Sequence, residues 1–243
     1  MNVRTPTVKR AASRAAAITA EAARPDRKQA ILLAAEKLFA QHGYHAVTIR
    51  QIAEEAGVPL ALVGYYYGQK HELFHAIFEH WSHSIDARLA GLAAVDIDPD
   101  DPRTLQHIID AFIAPVLALR ASSEGEYYAL LVARELANTT EEADRVLRAY
   151  FDPLAEAYID ALHVVLPHAT RGEVAWGYQF ALGVLMNHLN SSRIARLSRG
   201  ENTPGDPAVA PMLVNFIVGG LRAALPRPKT PRANKTTPRR QKP

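Results

Sequence analysis

Residues 31–74 read ILLAAEKLFAQHGYHAVTIRQIAEEAGVPLALVGYYYGQKHELF, and the punctuation of this stretch decides the fold. Ile31, Ala35, Leu38 and Phe39 recur at i, i+4, i+7 and i+8, one face of a helix that begins near Asp26. Gly43 follows His42 and marks its stop, because glycine takes the left-handed conformation that ends a helix at little cost. After the short connection Tyr44 to Val47, Thr48 with Gln51 three residues on forms a capping box. The helix it opens is short, with Ile49, Ile52 and Ala53 inward, and Gly57 ends it. Pro59 suits the start of the next helix, which runs from about Leu60 to Tyr66 and stops at Gly68. A longer helix begins near Lys70, with Leu73, Phe74, Ile77, Phe78, Trp81, Ile85 and Leu89 as its buried stripe.

Working outward, the acidic, proline-containing run from Asp96 to Pro102 is a loop, and the segment from Arg199 to Pro207 is another. Helical periodicity covers about 103–120, 125–137, 140–165, 170–190 and 207–225. Thr170 and Glu173 make a second capping box, and Pro153 is expected to kink or split the helix over 140–165. No period-2 run bounded by turns is present. The fold class is therefore all-α: an N-terminal three-helix helix-turn-helix unit followed by a C-terminal helical bundle, about nine helices in all. The expected divisions are a flexible basic arm over 1–24, a helix-turn-helix domain over 25–85, a helical bundle over 86–225, and a disordered basic tail over 226–243.

Composition narrows the function. The 243 residues are 48% hydrophobic and include no cysteine. That is ample for a core, and it excludes disulfide scaffolds, zinc ribbons, iron–sulfur centres and cysteine nucleophiles. The net charge of +3 hides an asymmetry. Residues 1–24 carry net +4, 25–74 net 0, 75–225 net −8 and 226–243 net +7. An acidic body with two basic ends points towards a polyanionic partner. The start of the chain lacks an apolar run of signal-peptide length, and no uninterrupted apolar stretch approaches the ~20 residues that span a bilayer. The expected location is the cytoplasm, with no membrane partner.

Thr48 to Tyr67, two short helices joined at Gly57-Val58 after a preceding helix, has the form of a helix-turn-helix. In that motif the second helix lies in the major groove of DNA. The full 31–74 string resembles the DNA-binding domain of the tetracycline-repressor (TetR) family. The resemblance rests on the Ala-Ala…Leu-Phe…Gly-Tyr pattern of the first helix and its end, on Thr48, and on Ile52-Ala53…Ala56-Gly57-Val58. It continues through Tyr65-Tyr66-Tyr67-Gly68-Gln69-Lys70 and Leu73-Phe74, and covers about residues 26–85.

The resemblance implies a sequence-specific DNA-binding transcription regulator, a repressor released by a small-molecule effector, acting as a homodimer on a palindromic operator in double-stranded DNA. Thr48 and Arg50 would reach the phosphate backbone, and Leu60, Ala61 and Leu62 would face base edges. Tyr65 and Tyr66 would contact phosphates or bases, and Lys70 would hold a phosphate. Two departures stand out: Gly64 replaces a frequent aromatic residue, and Tyr67 a frequent Phe. Because Pro59-Leu60-Ala61-Leu62 offers no side-chain hydrogen-bonding group, thymine methyl contacts and DNA shape would carry more of the specificity. The arm over 1–24 either adds minor-groove contacts or only solubilises the chain.

The resemblance also implies that the bundle is a ligand-binding and dimerisation domain over 86–225. Its interface is expected at helices about 170–190 and 207–225, where Trp176 and Phe180, and Phe216 with Gly219-Gly220, offer apolar and small residues. Phe112, Tyr127, Tyr128, Arg134, Trp176 and Asn187 are candidate pocket residues, and Arg134 with Glu135 either binds a polar ligand or, the favoured reading, forms a structural ion pair. His71-Glu72-Leu73-Phe74-His75 is a literal H-E-x-x-H, the arrangement of zinc proteases. Its extended form fails, since Phe78 and Trp81 occupy the positions of the later Gly and His. No P-loop, G-x-G-x-x-G after a strand or G-x-S-x-G occurs. No enzymatic activity, cofactor or metal is expected.

Overall fold

A computed structural model describes residues 27–225 apart from 124, 138, 139 and 191. The expected arm over 1–24 and tail over 226–243 lie outside the described residues. Helix α1 covers 27–42, α2 Ile49–Glu55, α3 Leu60–Tyr67, α4 Lys70–His80 and α5 Ser82–Ala93. The remainder is α6 (Thr104–Ala121), α7 (Glu126–Leu136), α8 (Glu141–Val146), α9 (Asp152–Val165), α10 (Arg171–Asn190), α11 (Arg193–Leu197) and α12 (Ala210–Ala224). No strand occurs among the described residues. The stop at Gly43 and the capping boxes at Thr48 and Thr170 form as the sequence predicts.

Two hydrophobic clusters organise the chain. The first contains Ile31, Phe39, Ile52, Val63, Phe74 and Phe78 from α1–α4. Phe74 packs edge-on to both Phe39 and Phe78, at 5.4 and 5.2 Å between ring centroids. Each such fully buried side chain contributes roughly 1.5–3 kcal/mol. Four short helices cannot enclose this cluster alone, and Tyr128 and Leu131 of α7 with Val146 of α8 complete it. The second cluster joins the inner faces of α5, α6, α9, α10 and α12, with Phe112, Tyr158 and Leu185 at its centre. Trp81 belongs to the first cluster and Ile85 to the second.

Several boundaries differ from the sequence expectation. The helix from Lys70 through Leu89 breaks at Trp81, where φ is −93° and ψ 6°. The break is held locally: Ser84 Oγ donates to the Trp81 carbonyl at 2.7 Å, and the indole N–H donates across to Glu36 of α1 at 2.7 Å. The helix over 140–165 does split, through a π-turn at Leu147–Phe151 just before Pro153. The helix over 207–225 begins with a 3-10 turn at Pro207–Val209, and α11 has no counterpart in the periodicity.

Pro115 lies inside α6, where it removes the N–H that would pair with the Ala111 carbonyl. Tyr158 Oη donates to that carbonyl at 2.9 Å instead, so α6 runs on unbroken. By length and composition, Thr104–Ala121 and Pro207–Ala224 match the requirement for crossing a membrane. In the fold, α6 is the central helix of the bundle, and α12 turns Leu213, Val214, Ile217, Val218 and Leu221 into the same core.

Candidate nucleic-acid interface and ligand cavity

The turn between α2 and α3 is set by backbone geometry. Gly57 has φ +65°, and the Val58 N–H donates to the Ala53 carbonyl at 3.0 Å. The fully buried Val63 pins α3 to the core, and Leu62 also turns towards that core. Exposed residues on α3 then fall at Leu60, Ala61, Gly64 and Tyr65, one face of the helix. Tyr65 is 74% exposed and Leu60 47%. Tyr66 is half-buried and supports Tyr65 edge-on at 5.1 Å.

The other candidate DNA contacts are placed around this face. Arg50 is exposed on the first turn of α2. Thr48 is exposed too, but its hydroxyl is engaged, accepting from the Gln51 N–H at 3.3 Å and donating to Gln51 Oε1 at 2.9 Å. Lys70 opens α4 with its ammonium 4.4 Å from the centre of the Tyr44 ring, and burial lowers its pKa. Tyr67 does not reach outward: its hydroxyl donates to the Lys28 carbonyl at 2.9 Å, and burial pushes its pKa up to about 12. The hydroxyl that distinguishes it from Phe ties the end of α3 to α1.

Glu72 of the H-E-x-x-H string has a structural task. Its Oε2 accepts from the Gln69 N–H at 2.6 Å, half of a capping box that opens α4. Gln69 is not a usual N-cap, which is why the sequence pattern hid this box. Gly68 lies against the same carboxylate, with φ +68° and a position for Cβ only 2.2 Å from Glu72 Oε2. Among the described residues, no three His, Asp or Glu side chains gather as a metal site.

A separate cavity of about 450 Å³ opens inside the bundle between α5, α6, α7, α9 and α10. Val116, Leu119, Val132, Leu182 and Met186 give it apolar walls, and Leu147 and Phe151 of the π-turn project into it. Arg88 and Tyr128 also line it, and Arg88 Nε and Tyr128 Oη are both buried without a hydrogen-bond partner. Ser84, beside Tyr128 in the wall, donates its hydroxyl proton to the Trp81 carbonyl.

The family description "Bacterial regulatory proteins, tetR family" matches residues 31–77, and "Tetracyclin repressor-like, C-terminal domain" matches residues 110–220. The chain belongs to the tetracycline-repressor family. It is similar to the HTH-type transcriptional activator FasR of Mycolicibacterium smegmatis, with 26% identity over 199 residues, 82% of this chain and 84% of that protein. The HTH-type transcriptional regulator BetI of Brucella abortus is 28% identical over 153 residues, 63% of this chain and 74% of that one. The fold is shared with a TetR-like transcriptional regulator from Rhodococcus sp. RHA1 at a TM-score of 0.55 and 22% identity, covering 80% of this chain and 95% of that one. It is shared also with the fatty acid degradation regulator FadR of Bacillus halodurans, at 0.54 and 18%, covering 81% and 96%. The protein is thus a helix-turn-helix transcriptional regulator of this family.

Of the six pocket residues expected from sequence, only Tyr128 lines this regulator's bundle cavity. Phe112 is buried behind it, packed against Tyr158 and Tyr178 at 5.2 and 5.4 Å. Tyr127 faces a different recess, between α1 and α7. Arg134 reaches the end of α1, donating to the Ala40 and Gln41 carbonyls at 3.1 and 3.0 Å. There it satisfies carbonyls that the helix leaves open, while neighbouring Glu135 is buried, which raises its pKa. Trp176 is 64% exposed and Asn187 also faces outward. Arg88, Leu147 and Phe151 were missed: the first is a charge inside an apolar stripe, and the others reach the cavity through a π-turn that no periodicity announces.

Proposed function

We propose that this regulator is a homodimeric repressor that binds a palindromic operator and leaves it when a small molecule occupies the bundle cavity. The observation that carries the reading is the outward face of α3. Leu60, Ala61, Gly64 and Tyr65 are displayed on a helix pinned by Val63, in the position of a recognition helix. Leu60 and Ala61 would meet thymine methyls, Tyr65 a base or phosphate, and Leu62 and Tyr66 would support them from behind. Arg50 would meet the backbone. Thr48 would present the first turn of α2, and Lys70 would reach a phosphate from its place over Tyr44.

The working division is a DNA-binding domain over 25–85 and a sensing and dimerising domain over 86–225, with basic ends that strengthen non-specific attraction to DNA. Dimerisation would use the outer faces of α10 and α12. Trp176 and Phe180 stack there at 5.8 Å, and Phe216 is 68% exposed beside Gly219 and Gly220. Met212 is exposed on α12 as well, whereas Leu185, Leu189, Leu213 and Ile217 face the chain's own core. A soluble cytoplasmic regulator without enzymatic activity fits this reading.

Release would follow from Tyr128, which forms part of the cavity wall and part of the N-terminal core at once. It stacks on Trp81 at 5.1 Å, and Trp81 holds Glu36 of α1. A ligand that prefers a shifted Tyr128 would select a state with altered recognition-helix spacing. The relative FasR carries the name of an activator, so a promoter–reporter assay decides the sign. Selection of bound duplexes from a random pool tests the core of the proposal. The expected product is a palindrome with half-sites about one helical turn, ~34–36 Å, or a multiple of it apart. Recovery of sequences with no shared motif would contradict it.

A further inference from the structure

Arg88 is a cation set among apolar and aromatic side chains at the wall of the bundle cavity. It follows Ile85 by three residues and precedes Leu92 by four, so α5 turns it inward within its apolar stripe. Arg88 is half-buried as a residue, and its Nε is enclosed by protein without a hydrogen-bond partner. Among the described residues, no carboxylate forms an ion pair with it. Its near neighbours are the Phe112 ring, 5.7 Å from the guanidinium carbon, and the phenols of Tyr128, Tyr158 and Tyr178. Tyr158 Oη already donates to Ala111. Burial disfavours the charge and lowers the Arg88 pKa, yet arginine has no accessible neutral form. A buried, unpaired cation is costly. Its persistence is intelligible where a ligand supplies the missing anion.

The rest of the cavity limits that anion. Among the described residues, Arg88 and Asp152 are the only charged side chains lining it. Asp152 is exposed, in the first turn of α9, where a helix N-terminus favours an acid. One inner cation opposed by an acid at the edge suits a monoanion and disfavours a multiply charged phosphate. A guanidinium fork matches the two oxygens of a carboxylate, and the buried Tyr128 hydroxyl, beside Ser84 in the wall, can donate to the same group. Beyond this polar corner, Val116, Leu119, Leu182, Met186 and Leu189 offer only apolar surface in a cavity of about 450 Å³.

We propose that the bundle cavity binds an amphipathic carboxylate, with its head on Arg88 and Tyr128 and its hydrocarbon chain along the α6–α10 wall. This rests on the reading of the cavity as the effector site and specifies the chemistry of the effector.

The test is isothermal titration of the full-length protein with dodecanoate and with dodecanol, which share a chain and differ in the head. Dodecanoate is expected to bind at least about tenfold more tightly, the scale of a charge-assisted contact. Arg88→Met should bring the two ligands to parity while keeping the affinity for dodecanol. Tyr128→Phe, which removes one oxygen and leaves the fold-bearing ring in place, should weaken dodecanoate severalfold and leave dodecanol unchanged. Equal binding of the two ligands by the wild type, or binding of neither, overturns the assignment. So does a preference that survives in both variants. The same preparations are assayed on operator DNA: tight, Arg88-dependent binding of dodecanoate without any effect on DNA affinity supports this site and contradicts its role as the effector site.

Discussion

Glu36 and Arg88 are both ionisable groups inside the protein, they share Tyr128 as a neighbour, and their surroundings differ in kind. Glu36 is enclosed by the N-terminal core but is answered there. It accepts from the Trp81 indole at 2.7 Å and from the Tyr128 backbone N–H. Arg88 faces a cavity and receives no answering anion. The contrast separates two uses of burial. A buried polar group whose bonds are all made serves the fold, by fixing how α1 meets the α4–α5 joint. A buried charge left open towards a cavity lowers stability in the free protein and prepares the site for a partner.

The largest effect expected from breaking this contrast is at Trp81. Trp81→Ala should destabilise the protein by about 3–5 kcal/mol, read from urea denaturation, because it opens a cavity and strands the Glu36 carboxyl. Next comes the pH dependence of Glu36, whose pKa burial raises from 4.5 to about 7. The folded state holds this proton more tightly than the unfolded chain does. Its contribution is therefore fully present below about pH 4.5 and is lost as pH rises through about 7, on the order of 3 kcal/mol. Glu36→Gln keeps an acceptor for the indole and removes the titration, so the loss of stability between pH 5 and pH 8 should be smaller than in the wild type. The smallest effect sharpens the other side: Arg88→Met, without ligand, should change stability by less than about 1 kcal/mol or raise it. A large loss there would show that Arg88 serves the fold after all.

The same contrast explains what the sequence discloses. Signals carried by neighbouring residues are legible: the positive φ at Gly43, Gly57 and Gly68, the boxes at Thr48 and Thr170, and the register that exposes Leu60 and Tyr65 on α3. Contacts made between distant segments are not. Arg134 reaches 94 residues back to Ala40, and nothing within α7 announces it. The break at Trp81 depends on Glu36, 45 residues earlier in the chain. Phe112 and Trp176 are both large aromatics on long helices, and only the packing of the bundle buries the first and turns the second outward. Arg88 is hidden because a charge within an apolar stripe reads as an interruption of the pattern, whereas in the fold it marks the polar corner of the cavity.

The central claim is that the face of α3 built on Val63 reads DNA sequence. Fluorescence anisotropy with a duplex carrying the selected palindrome and with a scrambled duplex of equal length and composition tests it most directly, at fixed low salt. Preferential binding of the palindrome is expected, weakened across all sequences by Lys70→Ala and altered in site preference by Leu60→Ala. A folded dimer that binds both duplexes equally at that salt concentration would contradict it.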